Sequence, residues 1–308
     1  MDYLNDHSRH LLYILQAHPA VIIALDVNTG ESWRLLEVPR GTPDGIQVDL
    51  VSKTVYWTNM GEMPETGENF IHADGSIESC SLAGDDHRVL VGGGSIVTPK
   101  QIQLDAAYGV LYWCDREGMA IFCCNTDGSG LTMLHQTGAW PGDRDDVMRH
   151  CVGIALDLQN RYIYWTQKGP PDGGQGRIFR MALTPPGVMP LAHRPNVELL
   201  LDHLPEPIDL EIDHESQRLY WTDRGLPEQG GNSLNCADIS VDGLSNHRVL
   251  ATGLAEAIGL ALDLKGHRAF VSDLSGAVRG VSLEGGVFTT LYTCPGPVTG
   301  IAFAHHGD

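Results

Sequence analysis

The sequence predicts an all-β protein: a six-bladed β-propeller with four strands per blade, formed by residues 1–308 as a single domain. Three observations predict this fold. A pair of strands recurs along the chain with similar residues, hairpin signals follow three of its copies, and the repeat period closes when the two termini are joined. A closed ring of four-stranded blades satisfies all three.

The recurring unit is a short apolar segment ending in Asp, a turn, and then an aromatic pair followed by Thr, Cys or Ser and a polar residue. We refer to those last four residues as the tetrad. The apolar segments are 46–49, 102–105, 154–157, 210–213 and 260–263, and the segments that carry the tetrad are 55–59, 111–115, 163–167, 219–223 and 269–273. A sixth copy is split, with its first strand at 300–303 and its second at 11–15.

The first aromatic residue of each copy sets the period. It stands at Tyr13, Tyr56, Tyr112, Tyr164, Tyr220 and Phe270. The spacings are 43 to 56 residues, and the step from the last copy through both termini to the first is 51 residues. We therefore expect the N-terminal strands, within 11–38, to pair with the C-terminal strand and close the ring.

Charge and composition exclude several classes of function. The chain has 39 acidic and 20 basic residues, a net charge of -19, which opposes binding to nucleic acid or to an anionic membrane. Its apolar runs, such as 20–25, are too short to span a bilayer. The N-terminus lacks the pattern of a signal peptide, and the seven cysteines include no C-x-x-C pair, so a cytoplasmic location is expected.

The tetrad carries a family resemblance over essentially the whole chain. Tyr220-Trp221-Thr222-Asp223 is intact, and three further copies are nearly so. They resemble the YWTD-repeat propellers of low-density-lipoprotein receptors. The resemblance implies that the tetrads are scaffold, with rings between the blades and polar ends that tie strands together. The cysteine-rich modules of those receptors are missing here, so the extracellular receptor role is not expected to carry over.

The first strands of the six units are predicted to line the central channel. Gln101 and Asp209 stand where the other four units have Gly, and Gln47, Gln103 and Glu211 stand where the others have Ala. Residues two apart on a strand share a face, so Asp209 and Glu211 are expected to lie close together. Such a pair raises the pKa of one carboxyl and suits general acid/base chemistry.

The loops that lead into the first strands add candidates around the channel mouth. Lys100 suits the orientation of an anionic oxygen, and His150 suits proton transfer. The predicted catalytic residues are Asp209, Glu211, His150 and Lys100. The predicted substrate-binding residues are Gln47, Gln101, Gln103, Trp140, Met60, Met148, Arg149, Asp44 and Glu256.

In size and organisation the chain also resembles the fungal hetero-Diels-Alderases of tropolone sesquiterpenoid biosynthesis. That resemblance implies an enzyme of secondary metabolism that uses no cofactor or metal and binds a small apolar metabolite in the channel. The implied reaction is dehydration to a quinone methide and intermolecular cycloaddition with a terpene. Asp209, Glu211 or His150 would act as acid or base, Lys100 and Gln101 would hold the tropolone oxygens, and Trp140, Met60 and Met148 would line the terpene site.

Two alternatives remain open at the level of sequence. The first is a protein-interaction propeller that presents an acidic mouth to a basic partner. The second is a metal-dependent lactonase of the gluconolactonase type, in which Asp209, Glu211, Gln101 and Gln103 would supply oxygen ligands suited to Ca²⁺. The Asn ligands expected in that family are absent from the predicted inner strands.

Overall fold

The structure is a computed structural model that describes residues 9–63, 70, 72–183 and 196–306. In these residues, 24 strands form six antiparallel sheets of four strands, which are the blades of a β-propeller. Short 3-10 turns occur at Val147–Arg149 and Pro227–Gln229. Within the described ranges, no helix has the length and apolar character to cross a membrane.

The strands follow the chain blade by blade. Blade 1 contains β1 (His10–Gln16), β2 (Val21–Asp26) and β3 (Ser32–Glu37). Blade 2 contains β4 (Pro43–Asp49), β5 (Thr54–Asn59), β6 (Ser76–Ser81) and β7 (Arg88–Val91). Blade 3 contains β8 (Pro99–Asp105), β9 (Val110–Asp115), β10 (Ala120–Asn125) and β11 (Thr132–Gln136). Blade 4 contains β12 (Cys151–Asp157), β13 (Tyr162–Gln167), β14 (Gly176–Ala182) and β15 (Glu198–Leu204). Blade 5 contains β16 (Pro207–Asp213), β17 (Arg218–Asp223), β18 (Ser233–Ser240) and β19 (Gly243–Thr252). Blade 6 contains β20 (Ala257–Asp263), β21 (Arg268–Asp273), β22 (Ala277–Ser282) and β23 (Thr289–Thr293).

The last strand, β24 (Val298–His305), returns to blade 1 and closes the ring. It is the innermost strand of that blade, in the order β24-β1-β2-β3. Leu12 pairs with Phe303 and Ile14 with Ile301 in an antiparallel register. The predicted split of the sixth repeat is confirmed.

The tetrads form the scaffold, as expected. The tryptophans Trp57, Trp113, Trp165 and Trp221 are fully buried. The third tetrad residue joins neighbouring blades: Thr166 Oγ1 accepts a hydrogen bond from the Gly153 amide at 2.7 Å and donates to the Ile208 carbonyl of blade 5 at 2.8 Å. Thr222 and Ser272 make the same pair of bonds, so these hydroxyls satisfy buried backbone groups of two blades at once.

The fourth tetrad residue holds the loop in front of the first strand. In blade 5, Asp223 accepts a hydrogen bond from the Glu206 amide at 2.7 Å. In blade 3, Asp115 accepts from the amides of Val97 and Thr98 at 2.8 and 2.7 Å. These bonds fix the loops at the channel mouth, where a ligand site would lie.

Crowding at the propeller axis explains the glycines of the inner strands. A methyl group added at Gly153 would lie 1.9 Å from the carbonyl oxygen of Ile208 in the next blade. The same change at Gly300 would place it 2.2 Å from the carbonyl oxygen of Asp44. Adjacent blades therefore touch through backbone at these positions, as the sequence predicted.

Candidate functional site: a cavity at the channel mouth

A cavity of about 290 Å³ lies on the propeller axis, at the N-terminal ends of the inner strands. All six blades or their loops contribute to it. Its walls are formed by Ala17, His18, Thr42, Asp44, Met60, Met63, Phe70, Lys100, Arg116, Val152, Lys168, Ile208, Arg224, Ile258, Leu274, Pro297 and Thr299. Concave sites of this kind, walled mainly by apolar groups with a few polar ones, are typical of small-molecule sites.

The wall is built from two rings of equivalent positions. The inner ring is the second residue of each inner strand: Asp44, Lys100, Val152, Ile208, Ile258 and Thr299. The outer ring is the residue that follows each tetrad or its blade 1 counterpart: Ala17, Met60, Arg116, Lys168, Arg224 and Leu274. The repeat therefore delivers twelve side chains to one place, and their identities differ between blades.

Apolar and charged residues occupy different parts of these rings. Val152, Ile208 and Ile258 of the inner ring form one buried cluster, against which Leu274 of the outer ring packs. Met60 of the outer ring lies beside the charged inner-ring residues of blades 2 and 3. The inner ring is therefore apolar on blades 4 to 6 and charged on blades 2 and 3, whereas the outer ring is basic on blades 3 to 5.

Lys100 and Asp44 form the central ion pair of the polar wall. Lys100 Nζ lies 2.6 Å from Asp44 Oδ1 and 3.2 Å from Met60 Sδ, and both charged side chains are almost fully buried. Gln101 Nε2 lies 3.4 Å from the other Asp44 oxygen. Burial, together with the nearby Arg116, lowers the pKa of Lys100 below its usual range, although Asp44 opposes this shift. A buried ammonium with a lowered pKa releases its proton more readily than a lysine in water.

Arg116, Lys168 and Arg224 form the cationic arc, the basic part of the outer ring on blades 3, 4 and 5. Lys168 Nζ and Arg224 Nε lie 2.6 and 3.1 Å from the same oxygen, Oε1 of Glu206. Burial lowers the pKa of Lys168, and the neighbouring Arg224 adds to the effect, against the attraction of Glu206.

Arg116 is held in a similar way. Its guanidinium binds Glu117 with contacts of 2.6 to 2.9 Å. Burial alone would raise the pKa of Glu117, but Arg116 outweighs it and the pKa is lowered.

The predicted carboxylate pair lies deeper in the channel and does not line the cavity. Both Asp209 oxygens are engaged, one by the Leu210 amide and the other by the Leu260 amide of blade 6, each at 2.9 Å. Burial and the charge of Glu211 raise the pKa of Asp209 well above its usual range. These contacts show a carboxylate that joins blades 5 and 6.

Glu211 has a different environment. Gln103 of blade 3 donates a hydrogen bond across the channel to Glu211 Oε1 at 3.0 Å. Burial raises the pKa of Glu211 to about 7, although this hydrogen bond opposes the shift. Gln47 is half-buried at the equivalent position of β4. These three residues form a polar layer of the channel below the cavity.

Of the remaining predicted residues, the structure places none in the cavity wall. His150 is 3% exposed, and its Nε2 contacts the Arg144 carbonyl at 2.7 Å. Its pKa is lowered, chiefly by burial, although Glu117 opposes the shift. The His150 imidazole therefore makes its contact within its own loop. Trp140 belongs to the same 137–150 segment and is partly buried.

Met148 and Arg149 line a separate groove on blade 4, with Arg177 and Phe179, so they do not ring the mouth as expected. Glu256 is about half exposed and approaches Arg224 to 3.9 Å from the cavity rim. Of the thirteen predicted site residues, the cavity wall therefore contains Asp44, Met60 and Lys100.

Sequence reasoning missed the cationic arc. The signal was present: the residue directly after the tetrad is basic in three successive repeats, at Arg116, Lys168 and Arg224, and apolar at Met60 and Leu274. This position lies just beyond the end of a strand, outside the aligned inner strands on which the prediction concentrated.

The described part of the chain contains no cluster of three or more His, Cys, Asp or Glu residues placed to hold a metal ion. Two of the four residues proposed as Ca²⁺ ligands are Asp209 and Glu211. Asp209 accepts hydrogen bonds from two backbone amides, and Glu211 accepts one from Gln103. All seven cysteines are free thiols.

The fold and the tetrads define a class, the six-bladed YWTD-type propellers, here with a ligand-sized cavity at the channel mouth. The chain is 46% identical over 318 residues to a Pyricularia oryzae protein named low-density lipoprotein receptor-related protein 1, covering 97% of this chain and 99% of that protein. The chain therefore belongs to the family of this low-density lipoprotein receptor-related propeller.

A second fungal relative is longer than this chain. A 3-hydroxyacyl-CoA dehydrogenase-like protein, LAM1, from Cochliobolus heterostrophus is 38% identical over 268 residues, which cover 83% of this chain and 54% of that protein. This chain thus matches about half of that relative's length. No protein-family model matches the sequence.

The fold of this chain is shared with a chain of known structure. The chain superposes on a chain of the nidogen/laminin complex with a TM-score of 0.72 at 20% identity, covering 96% of this chain and 98% of that one. At this identity the likeness establishes the fold alone.

Proposed function

We propose that the protein is an enzyme that binds a largely apolar metabolite in the mouth cavity and transfers a proton to it from Lys100. The observation that carries the proposal is the composition of the inner ring of the cavity: one buried ammonium–carboxylate pair on blades 2 and 3 shares this ring with an apolar surface on blades 4 to 6. Apolar walls position such a metabolite, and the ion pair acts on its oxygen.

Within this site the roles divide between two residues. Lys100 touches the ligand space, and its lowered pKa makes it a suitable general acid. Asp44 is a positioning residue, because its carboxylate fixes the ammonium at 2.6 Å and stabilises its charged form. The Asp209–Glu211 pair lies below the cavity, so the proton-transfer role belongs more naturally to Lys100.

The reaction we propose is loss of water from a hydroxymethyl-bearing aromatic alcohol, followed by cycloaddition to a terpene. The Lys100 ammonium protonates the leaving hydroxyl, the C–O bond breaks, and the ring hydroxyl loses a proton to Lys100. The quinone methide that results adds across an alkene with one new C–C and one new C–O bond. The sequence is redox-neutral, and holding both partners in one cavity accelerates the bimolecular step.

The name of the Cochliobolus relative supports small-molecule chemistry in this group of fungal proteins. A propeller segment homologous to this chain is there part of a longer, dehydrogenase-like protein. We infer that the propeller works on a metabolite in both settings.

The test uses purified protein with o-hydroxybenzyl alcohol and a sesquiterpene olefin. Mass spectrometry should detect an adduct whose mass equals the two reactants minus water, formed faster with the protein than without it. A Lys265→Met variant, which removes a lysine from the turn after β20, is the matched control for a Lys100 variant. An adduct rate that is the same with and without protein, for this pair and for tropolone alcohols, would refute the proposed reaction.

A further inference from the structure

We propose that the ligand of this cavity carries an acidic head group, a carboxylate or phosphate monoester, and that Lys168 and Arg224 bind it. This inference rests on the proposed function insofar as both assign the ligand to the same cavity. It adds the chemical class of the ligand and names residues that the proton-transfer step does not use.

The wall of the cavity is more basic than the rest of the protein. Of the residues lining the cavity, four are cationic and one, Asp44, is a carboxylate. The whole chain has the opposite balance, with 39 acidic and 20 basic residues. A cationic concentration of this kind in an acidic protein favours an anion at that point, because the local field is felt over a few ångströms.

The closest counter-charges of these cations lie outside the cavity wall. Glu206 and Glu117 are 1% and 2% exposed and do not line the cavity. Their contacts fix Lys168, Arg224 and Arg116 in position, so these side chains lose little further freedom when a ligand binds. Glu256 approaches Arg224 from the rim at the longer distance of 3.9 Å, so the residues that line the cavity keep an excess of positive charge.

Lys168 and Arg224 converge on one point of the wall. Because Lys168 Nζ and Arg224 Nε contact the same oxygen of Glu206, the two cations must lie close together. They come from adjacent blades 4 and 5 and occupy neighbouring positions of the outer ring. Two fixed cations at this spacing suit one oxyanion group, since a guanidinium and an ammonium donate several hydrogen bonds to it.

An apolar surface lies beside these cations. Val152 lies in the inner ring on the same blade as Lys168, and Ile208 on the same blade as Arg224; Ile258 completes the apolar cluster. A ligand with its acidic group on the cationic arc would therefore lay its apolar part along the inner ring. This arrangement favours an amphipathic acid over a small polar anion, which would leave the apolar surface uncovered.

The experiment measures binding of three probes with the same ten-carbon chain: decanoate, decyl phosphate and methyl decanoate. Isothermal titration calorimetry on the full chain should give tighter binding for at least one of the two acids than for the neutral ester, by about tenfold or more. In Lys168→Gln and Arg224→Gln variants the acids should lose about tenfold in affinity, while the ester should change little. Arg34→Gln, which removes one exposed positive charge from blade 1, is the matched control and should leave all three affinities unchanged.

The outcomes separate this inference from the proposed function. Preference for decanoate or for decyl phosphate identifies which acidic group is recognised, and either supports the inference. Equal affinity of the ester and both acids would overturn it while leaving an apolar cavity for the proposed enzyme. Loss of acid binding in Arg34→Gln as large as in Lys168→Gln would also overturn it, because the effect would then come from net charge alone. If the adduct forms but the acids bind no more tightly than the ester, the result would support the proposed enzyme activity and refute recognition of an acidic head group.

Discussion

At the scale of single residues, substitution of Lys100 tests the proposed chemistry most directly. Replacing it with Met alone would leave Asp44 buried without its cation, which destabilises a protein by several kcal/mol. The informative variant is therefore the double substitution Lys100→Met, Asp44→Asn. We expect the fold to be kept and kcat to fall by about 100-fold or more, the usual contribution of a general acid.

The measurement is the initial rate of adduct formation, with circular dichroism to verify the fold. Lys265→Met should retain the full rate. A double variant that keeps both fold and rate would show that this ion pair is structural only.

Glu211 provides a pH-dependent prediction. Its pKa is about 7 in the folded protein against an ordinary value of 4.5, so the folded state holds its proton more strongly than the unfolded state does. Glu211 therefore costs little stability below about pH 4.5, and its cost grows between pH 4.5 and 7, where the unfolded chain loses the proton that the folded chain keeps. Glu211→Gln keeps the shape and the Gln103 contact, and it should stabilise the protein by the order of 2 kcal/mol at pH 8.

Urea unfolding at pH 8 and at pH 4.5 measures this difference, and the gain should disappear at the lower pH. Glu215→Gln, an exposed position on the same blade, should change neither value. An equal gain from Glu211→Gln at both pH values would contradict the raised pKa.

The residue scale also shows why the site was only partly predictable. Lys100 and Asp44 were found because they lead into the aligned inner strands, and the repeat fixes which strand ends meet at the channel mouth. His150 was chosen by its residue type; in the structure its imidazole contacts the Arg144 carbonyl of the same loop and does not line the cavity. The path of this loop is not part of the repeat, so its contacts could not be predicted from the other blades. Lys168 and Arg224, in contrast, stand at a position that recurs in every blade.

At the scale of elements, the contact between blades depends on the third tetrad residue. Thr166→Val would keep the side-chain shape but leave the Gly153 amide and the Ile208 carbonyl without their buried partner. We expect a loss of about 2–4 kcal/mol in the free energy of unfolding. Thr166→Ser keeps the hydroxyl and should cost about 1 kcal/mol or less.

Blade 6 supplies the natural precedent for the serine variant, since Ser272 accepts from the Gly259 amide and donates to the Thr299 carbonyl. Urea denaturation of the two variants separates the hydroxyl from the methyl group. Equal losses would mean that packing, rather than these hydrogen bonds, joins the blades.

Most elements were predictable for a physical reason. Each blade repeats one pattern of buried residues. A strand with a weak signal in one copy can therefore be recognised from the stronger signals at the equivalent positions of the other copies. The strand ends are less well marked in the sequence: β18 begins at Ser233 and β19 at Gly243, although polar residues such as Asn235 and Ser245 stand near their starts. Hydrogen bonds in the sheet extend a strand through polar residues that periodicity alone does not mark.

At the scale of the whole molecule, the ring is closed by two segments from opposite ends of the chain. β24 supplies the inner strand of blade 1 and the Thr299 hydroxyl, which donates to the Pro43 carbonyl of blade 2 at 2.9 Å. Without β24, blade 1 would present an open edge, and blades 6 and 2 would lose their neighbour at the axis. Because every blade stabilises the next, we expect one missing strand to affect the entire ring.

A chain that ends at Gly296 should therefore lose most of its unfolding free energy, which is about 5–15 kcal/mol in typical domains. A synthetic peptide of residues 297–308 should restore a cooperative unfolding transition when added in trans, because it can pair with β1 in the native register. The same peptide with Ile301→Pro should fail, since proline removes a donor from the ladder. A chain that lacks only 307–308 keeps β24 and serves as the control. Full cooperative stability in the chain ending at Gly296, without peptide, would show that five complete blades hold the ring unaided and that the terminal strand is not the lock.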